Sequence, residues 1–494
     1  MRIKAIQQSL IEAFLMPIKS IRVRYIPLLM IYFSYGIMGF TTIANNFFVK
    51  EKLGLSAVEL IELSFWIMIP WSIKMIFGQL VDSVTIFGSN RRIYVYIGAI
   101  LMTLGTLLLI SIAGDYTFIS SYNKDTIYMI SMLITTIGIV MQDVVADTMS
   151  TEVIDKNQTP NEIKKELATI QVLARLSLAI AGFMVSGLGG YLAGIYSYET
   201  IFIISLFIPI LSITGITFVK LNHVESSPLN KKIFFGGLGF AVFIIFMGIN
   251  KIPFAQEIIF IISFSIVLYM LRELIHELDE DTIKHIKMVM IVIFSYRLST
   301  YIEIGDGVTW WQIDVLGFDK PFFGVLAQIG ATLGIIGMWI GGKYIIDKSI
   351  SSILIFITII NTILALPILG MYYDLHTLIG VDARTIAILD TLALSPFDYI
   401  AGVIMLTLVA IYAPEGKKGT WFALMASFMN LAIAGGKLIG KYLNEIFVIT
   451  REVKENGVVI VNADYSQLGI LLWVVIIIGF IVPIVTILKF NPDK

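Results

Sequence analysis

The sequence predicts an all-α protein that crosses a membrane many times, and three observations support this fold class. Hydrophobic residues make up 57% of the 494 residues and charged residues only 14%, whereas soluble domains carry roughly 25% charged residues. The mean hydropathy is +0.88. Continuous apolar runs such as residues 468–488 exceed the roughly 18 residues that mark a membrane-spanning helix. A soluble globular protein is therefore excluded, and so is a transmembrane β-barrel, whose strands are short alternating segments.

Fourteen apolar runs, bounded by charged residues, Gly, Pro or Asn, are predicted as spans. Six precede a polar linker, two lie in the middle of the chain, and six close it. Ser56 and Glu59 form a capping box that opens the second run. The runs cover residues 26–47, 57–80, 93–113, 126–150, 167–194, 198–219, 233–249, 254–271, 288–311, 321–342, 350–370, 385–412, 419–442 and 468–488.

The order of these runs divides the chain into four segments. Residues 1–25 are basic and mildly amphipathic, so they are predicted to form a cytoplasmic interfacial segment. Residues 26–219 are predicted as a first six-helix bundle and residues 288–494 as a second. Residues 220–287 are predicted as a linker that carries two extra central transmembrane helices.

Lys and Arg residues set the predicted orientation, because cytoplasmic loops retain an excess of them. With a cytoplasmic N-terminus, the inner segments hold 22 of the 35 Lys and Arg residues and the outer segments hold 9. Both termini are therefore expected to be cytoplasmic, as an even number of spans requires. The expected location is a cell membrane, either a bacterial inner membrane or a plasma membrane.

Two six-span halves indicate the parallel repeat of the major facilitator fold, in which substrate binds near the midplane between the halves. Small residues spaced four apart give some direct support, because they let helix backbones approach closely. They are Gly182, Ser186 and Gly190 in the fifth run and Gly436 and Gly440 in its counterpart.

The composition argues against several classes of function. A net charge of -1 gives no basic surface for nucleic acid, and the absence of Cys excludes Cys-based metal or redox sites. The sequence shows no metal-ligand cluster, no nucleophile with a convincing base and no G-x-x-x-x-G-K-[ST] loop. We therefore expect a secondary transporter without a cofactor or metal, and neither an enzyme nor an ATP-driven pump. A non-transporting receptor or a membrane enzyme is the alternative from another class.

Ionisable residues inside the predicted spans mark candidate sites, because each costs at least about 2.5 kcal/mol to insert. Lys74, Asp143 and Arg175 lie seven or eight residues from the cytoplasmic ends of their spans, which is about 10–12 Å. They can therefore meet in one layer, whose net positive charge would attract an anionic substrate. Asp147 lies one turn from Asp143 on the same helix face. A structural ion-pair network or a cytoplasmic gate is the alternative role for Lys74 and Asp147.

In the second half, the buried charges are Arg297, Asp390 and Asp398. Pro396 is expected to kink the helix beside Asp398. A buried carboxyl next to a kink can exchange a proton near neutral pH. We therefore predict proton coupling at Asp390 and Asp398, together with Asp143 in the first half.

Three ordered motifs resemble the folate/biopterin transporter family of the major facilitator superfamily. The first is IPWSIKMIFGQLVD at 69–82 with IFGSNRRIY at 86–94, and the second is DVVAD at 143–147. The third comprises Asp390, PEG at 414–416 and GTWFALMASFMNL at 419–431. The sequence departs from the family at Met75, where the family usually has Pro, and in the two extra spans.

The resemblance implies a proton-linked carrier of folates or pterins. Asp143 would accept the amino-pyrimidine edge of a pterin, and Lys74, Arg175 and Arg297 would bind the tail of a folate. We expect a monomer whose partners are this small molecule, protons and the lipid bilayer, with no nucleic acid.

The resemblance also implies a gate and leaves a second substrate class open. In the superfamily, the loop that here carries Asp82, Arg91 and Arg92 forms a cytoplasmic latch between helices. The muropeptide permease branch also carries two additional spans, and residues 317–319 resemble it. Transport of a muropeptide or another organic anion is therefore the alternative within the superfamily.

Overall fold

The computed structural model describes residues 19–89, 91–154, 159–218, 231–250, 252–276, 278–345, 349–411, 418–455 and 458–491. Most of the predicted interfacial segment, residues 1–18, lies outside these ranges, and so do residues 414–416 of the third motif.

The described chain is mostly α-helical. A two-stranded antiparallel hairpin of β1 (Val453–Glu455) and β2 (Val458–Val461) precedes the last helix. The helices are α1 Ile26–Ile37, α2 Thr42–Lys52, α3 Ala57–Ser72, α4 Lys74–Ser83, α5 Arg92–Ala113, α6 Lys124–Glu152, α7 Pro160–Ala193, α8 Tyr198–Ser205, α9 Phe207–Phe218, α10 Lys231–Ile249, α11 Ala255–Ile275, α12 Glu280–Thr300, α13 Gly307–Asp314, α14 Lys320–Ile345, α15 Ile350–Leu364, α16 Leu366–Tyr372, α17 Leu375–Leu378, α18 Ala383–Ile411, α19 Lys418–Ile446 and α20 Leu468–Phe490.

Each predicted apolar run coincides with one of these helices or with two consecutive ones. Within the described part of the chain, nine helical segments are long and apolar enough to cross a membrane, and the broken pair α3 and α4 would make a tenth. A multi-pass helical membrane protein is thereby confirmed. The total of fourteen spans stays a prediction.

The first two predicted spans are interrupted. A 3-10 turn at Met38–Thr41 separates α1 from α2. Helix α3 contains Pro70 and ends at Ser72, and proline weakens the turn that precedes it because it lacks the helical N–H donor. The capping box of Ser56 and Glu59 is present at the start of α3.

The single helix predicted over residues 288–311 is wrong. Helix α12 ends at Thr300, and α13 begins at Gly307. Gly305, between them, has φ of +68°, a left-handed conformation that glycine adopts without steric cost. The residues between these helices are therefore available for side-chain contacts that a continuous helix would not make.

The described chain forms two compact units. The first contains the residues up to Ala44 and Lys74–Phe240, and the second contains Asn45–Ile73 and the residues from Ala241 onward. The second unit thus includes parts of the first two predicted spans, which the sequence assigns to the first bundle. The predicted boundaries after residues 219 and 287 stay a prediction.

The core of the first unit lies where α1 packs against α7 and α9, and α5 against α6. Leu28, Val95, Val145 and Ile170 are fully buried there. Gln142 of α6 crosses this core, because its Nε2 donates to the carbonyl of Val95 at 2.9 Å. The core therefore holds the helix that carries the DVVAD motif in a fixed rotation.

Glycines of α19 allow the close helix approach that the small-residue pattern predicts. A Cβ on Gly436 would lie 2.6 Å from the carbonyl oxygen of Leu298, and one on Gly440 would lie 2.2 Å from that of Glu303. Both distances are too short for a side chain, so α19 lies directly against the end of α12 and the residues that follow it.

In the second unit, basic side chains cap the end of α2. Arg451 donates to the carbonyl of Val49 at 2.9 Å and also to that of Leu53. Lys50 forms an ion pair with Asp314 at 2.5 Å. The last carbonyls of a helix lack partners within the helix, so these contacts bind the end of α2 to α13 and to the segment before β1.

Candidate functional site

A lysine and two carboxylates meet inside the first unit. Helix α4 begins at Lys74, and its Nζ contacts Oδ2 of Asp143 and lies 2.9 Å from Oδ2 of Asp147. Asp143 is 9% exposed, whereas the carboxylate of Asp147 is half-exposed. Because an unpaired buried charge is costly, the lysine stabilises the ionised form of Asp143.

Two further side chains extend this cluster. The hydroxyl of Tyr32 on α1 donates to Oδ1 of Asp147 at 2.5 Å. Arg175 on α7 is exposed and acts electrostatically on Asp143 and Tyr32. The predicted layer is therefore assembled, but with Asp147 included its two cations and two carboxylates cancel. This differs from the net positive charge that we expect from the sequence, because Asp147 turns toward Lys74.

A small cleft opens beside Asp143. The surface that its walls expose is mostly apolar, and Asp143 is one of the lining residues. Such a cleft suits a flat ring with N–H donors along one edge. The lining residues are Ile31, Tyr32, Ser34, Tyr35, Met38, Met102, Ile139, Gln142 and Asp143.

The predicted latch residue Arg91 forms a second polar cluster of the first unit. Its guanidinium lies 2.9 Å from Oδ1 of Asp82 and 3.0 Å from Oε1 of Glu152, and its Nη1 donates to the carbonyl of Val81 at 2.5 Å. Arg91 thereby joins the end of α4 to the end of α6. Arg92 is the first residue of α5, and its backbone N–H donates to Ser89 Oγ at 3.1 Å.

Within the described part of the chain, no hydrogen bond or ion pair joins the predicted residues of the second half. Arg297 donates to the hydroxyl of Tyr301 at 3.0 Å, one turn along the chain. Oδ1 of Asp390 is buried without a hydrogen-bond partner among the described residues. Asp398 lies in α18, but its side chain is outside the described part of the structure.

Sequence reasoning missed several residues of these clusters. Glu152 is the main partner of Arg91, and Tyr32, Tyr35 and Gln142 line the cleft. The sequence did contain a signal for Glu152, because this residue lies nine positions after Asp143, near the end of the same span. The tyrosines had no such signal, because an aromatic residue in a span is usually packing.

Within the described residues, no group of three or more His, Asp and Glu side chains is arranged to hold a metal ion. The described contacts of the first unit are ion pairs and hydrogen bonds.

Two curated proteins illustrate what the chain is similar to. A folate-biopterin transporter from Synechocystis sp. is 24% identical over 429 residues, which cover 87% of this chain and 76% of that protein. Folate transporter 1 from Plasmodium falciparum is 27% identical over 183 residues, which cover 37% of this chain and 34% of that protein.

Solved transporter structures share the fold at low sequence identity. A POT family transporter in complex with a thioalcohol conjugated peptide superposes with a TM-score of 0.69 at 12% identity, covering 95% of both chains. A D-xylose-proton symporter superposes with a TM-score of 0.57 at 12% identity, covering 95% of this chain and 97% of that chain. The transporter fold is thus confirmed, while the ligands of those proteins say nothing about this one.

The family model of the BT1 family matches residues 35–492, which is most of the chain. The family resemblance of the three sequence motifs is thereby confirmed, and this protein belongs to the BT1 family.

Proposed function

We propose that this protein is a secondary active transporter that moves a folate or a pterin across a membrane by alternating access. The names of the curated relatives support the substrate class. The single observation that carries the proposal is the cleft lined by Asp143 together with Tyr32 and Tyr35.

The chemistry of a pterin matches this cleft. Its amino-pyrimidine edge presents two neighbouring N–H donors, which a carboxylate can accept as a charge-assisted pair. Its flat faces suit the rings of Tyr32 and Tyr35.

The tail of a folate carries carboxylates, which require cations. Arg175 and Lys74 are the candidates near the cleft, and Arg297 is the candidate in the second unit. A guanidinium can bind a carboxylate through two parallel N–H bonds, so Arg175, which is exposed, suits this role best.

Proton coupling is the second part of the proposal. Asp143 would take up or release a proton as Lys74 and the substrate compete for its carboxylate. Asp390 has a buried oxygen without a described partner, which a proton would satisfy, and Asp398 follows the proline of α18. We assign gating to Asp82, Arg91, Arg92 and Asp147, because ion pairs between helix ends can break and re-form as helices move.

The remaining parts of the proposal rest on the sequence analysis. We propose fourteen spans in two six-helix bundles with two extra central helices, both termini in the cytoplasm, a cell membrane as the location, and a monomer that is not an enzyme. Alternating access would then rock one bundle against the other around a midplane site.

Uptake of radiolabelled folate and biopterin into proteoliposomes tests the substrate and the site together. The parent protein should accumulate a pteridine, and Asp143→Asn should lower the rate about tenfold or more, the effect of losing one charged hydrogen-bond partner. Asp115→Asn is the matched control, because Asp115 forms an exposed ion pair with Lys124 and lies outside the cleft.

The outcomes separate the parts of the proposal. Parent-like uptake by Asp143→Asn would remove Asp143 from the site while keeping the substrate. Accumulation of an anhydromuropeptide but no pteridine by the parent would overturn the substrate.

A further inference from the structure

A single lysine of the second unit is shared by carboxylates from two helices. Nζ of Lys441 on α19 lies 3.0 Å from Oε1 of Glu62 on α3 and 3.4 Å from Oε1 of Glu257 on α11. The hydroxyl of Tyr442 also donates to Oε1 of Glu257 at 2.6 Å. Helix α11 is one of the two helices that lie between the predicted halves, so this extra segment is tied to α19.

These groups are shielded from solvent to different degrees. The Lys441 side chain is 13% exposed and that of Glu257 is 19% exposed, whereas that of Glu62 is 35% exposed. A lysine this buried is costly to leave without a counter-charge. Glu62 is the more exposed of its two carboxylate partners, and Glu257 is the more buried one.

Residues on the same face of α19 are connected to α3 at two further positions, once directly and once through Glu303. Asn430 donates to the carbonyl of Trp71 at 3.3 Å. Lys437 lies 2.8 Å from Oε1 of Glu303, and Ser64 of α3 donates to that oxygen at 3.3 Å. Because these α19 residues are spaced by seven and four positions, they lie along one stripe of the helix. Separation of α3 from α19 would break contacts along this whole stripe.

We propose that Glu257 keeps Lys441 paired when Glu62 leaves it, so that helix α11 lowers the free-energy cost of separating α3 from α19. The inference rests on the proposed function, because alternating access requires packed helices to separate and return. In the associated state Lys441 has two carboxylates. In the separated state it retains Glu257, which also accepts from the Tyr442 hydroxyl, so no lysine is left buried and unpaired.

This arrangement predicts effects of opposite sign for two neutralised carboxylates. Glu62→Gln removes the contact that only the associated state has, so separation becomes easier. Glu257→Gln removes the partner that the separated state depends on, so separation becomes harder. If Glu257 merely strengthened the packing, both substitutions would loosen the contact.

A thiol reporter can measure the separation, because the chain contains no Cys. Ser427 of α19 is 2% exposed, and its hydroxyl has no hydrogen-bond partner among the described residues. It precedes Asn430 by one turn, so it lies toward the α3 side of α19. Ser427→Cys therefore places a buried thiol, at little structural cost, where a maleimide reacts when the helices separate.

The experiment follows maleimide labelling of purified Ser427→Cys protein in detergent, without any solute. We expect Glu62→Gln to raise the labelling rate about tenfold and Glu257→Gln to lower it about threefold or more, since the partner of a half-buried ion pair is lost in each case. Glu199→Gln is the control, because Glu199 accepts from Tyr116 in the first unit, and its rate should match the parent.

Rates that change in the same direction, or an unchanged rate in Glu257→Gln, would overturn the proposal. The melting temperature of each variant reports whether it folds. If Glu257→Gln does not fold, Glu257→Asp draws the carboxylate away from Lys441 while keeping its charge, and it should also slow labelling. Because no substrate is used, a failure of pteridine uptake leaves this result intact, and same-sign rates reject it even in an active transporter.

Discussion

Lys74 and Asp147 form an ion pair in which the ammonium nitrogen lies 2.9 Å from Oδ2 of the carboxylate. The same ammonium contacts Asp143, one turn earlier on α6. The lysine therefore bridges a buried carboxylate and a half-exposed one. This asymmetry makes the two aspartates energetically different although they belong to one motif.

Lys74→Gln is expected to destabilise the protein by about 3 kcal/mol, because it leaves the buried Asp143 without a cation. Asp147→Asn should have a much smaller effect, since the pair of Lys74 with Asp143 remains. Thermal unfolding in detergent measures both, with Lys124→Gln, which breaks an exposed ion pair, as the control. Parent-like melting of Lys74→Gln would contradict the bridging role.

Arg91→Lys is expected to behave almost like Arg91→Gln. Arg91 uses three different nitrogens to reach Glu152, Asp82 and the Val81 carbonyl, and a lysine ammonium cannot reproduce that planar geometry. We expect a loss of about 2 kcal/mol in stability, typical of hydrogen bonds to charged groups, and slower uptake.

Arg384→Lys is the matched control for the Arg91 substitution. Arg384 pairs with Asp319 on the surface at 3.2 Å, where the charge is screened by solvent. Equal effects of the two Arg→Lys substitutions on melting and uptake would show that the Arg91 cluster is an ordinary surface pair.

A carboxylate beside the first predicted span gives a prediction about pH. Oε1 of Glu166 accepts from Arg24 at 2.5 Å, from the Tyr25 hydroxyl and from Arg22 at 3.4 Å. Burial alone would raise the pKa of Glu166, but the hydrogen bonds from Tyr25 and Arg24 and the nearby arginine charges hold that pKa below its usual value. The folded state therefore favours the ionised carboxylate.

Neutralisation by Glu166→Gln should consequently matter most near neutral pH. A carboxyl whose pKa is lowered by folding stabilises the protein above its unfolded pKa of about 4.3, and this contribution is lost as the pH falls through the folded value. The difference in melting temperature between parent and variant should thus shrink as the pH falls below about 4.3. A difference that stays constant between neutral and acidic pH would argue against this coupling.

The helices could be predicted from the sequence because hydropathy is a local property, whereas their interruptions could not. The break at Met38–Thr41 contains one glycine and no proline, and the end of α12 at Thr300 precedes Gly305 by five residues. At both places the backbone conformation depends on contacts with distant helices. The residues on both sides of such a break are apolar, so their hydropathy predicts one continuous helix.

Some residues of the candidate site could likewise be predicted from the sequence, and others could not. Lys74 and Asp143 could be singled out from the sequence, because a charge inside an apolar span costs free energy and needs an explanation, and Arg91 could be singled out from the family resemblance of its loop. Tyr32 and Gln142 could not, since their residue types are ordinary in a span and their roles arise from helices packed beside them. Asp147 was predicted on the same helix face as Asp143, but its contact with Lys74 depends on where α4 begins.

The contact between α5 and α6 gives the last prediction. A Cβ on Gly98 would lie 2.6 Å from Cγ of Gln142 and 2.7 Å from the carbonyl oxygen of Gly138. The backbone oxygen cannot move without shifting α6, which carries Asp143. Gly98→Ala is therefore expected to cost about 1–3 kcal/mol by overpacking and to lower uptake, because α6 moves at the cleft.

Gly236→Ala is the matched control, since a Cβ there meets nothing within 4 Å and alanine favours the helix. Melting and uptake of Gly98→Ala that match those of Gly236→Ala would mean that α5 and α6 tolerate a wider spacing than this structure shows.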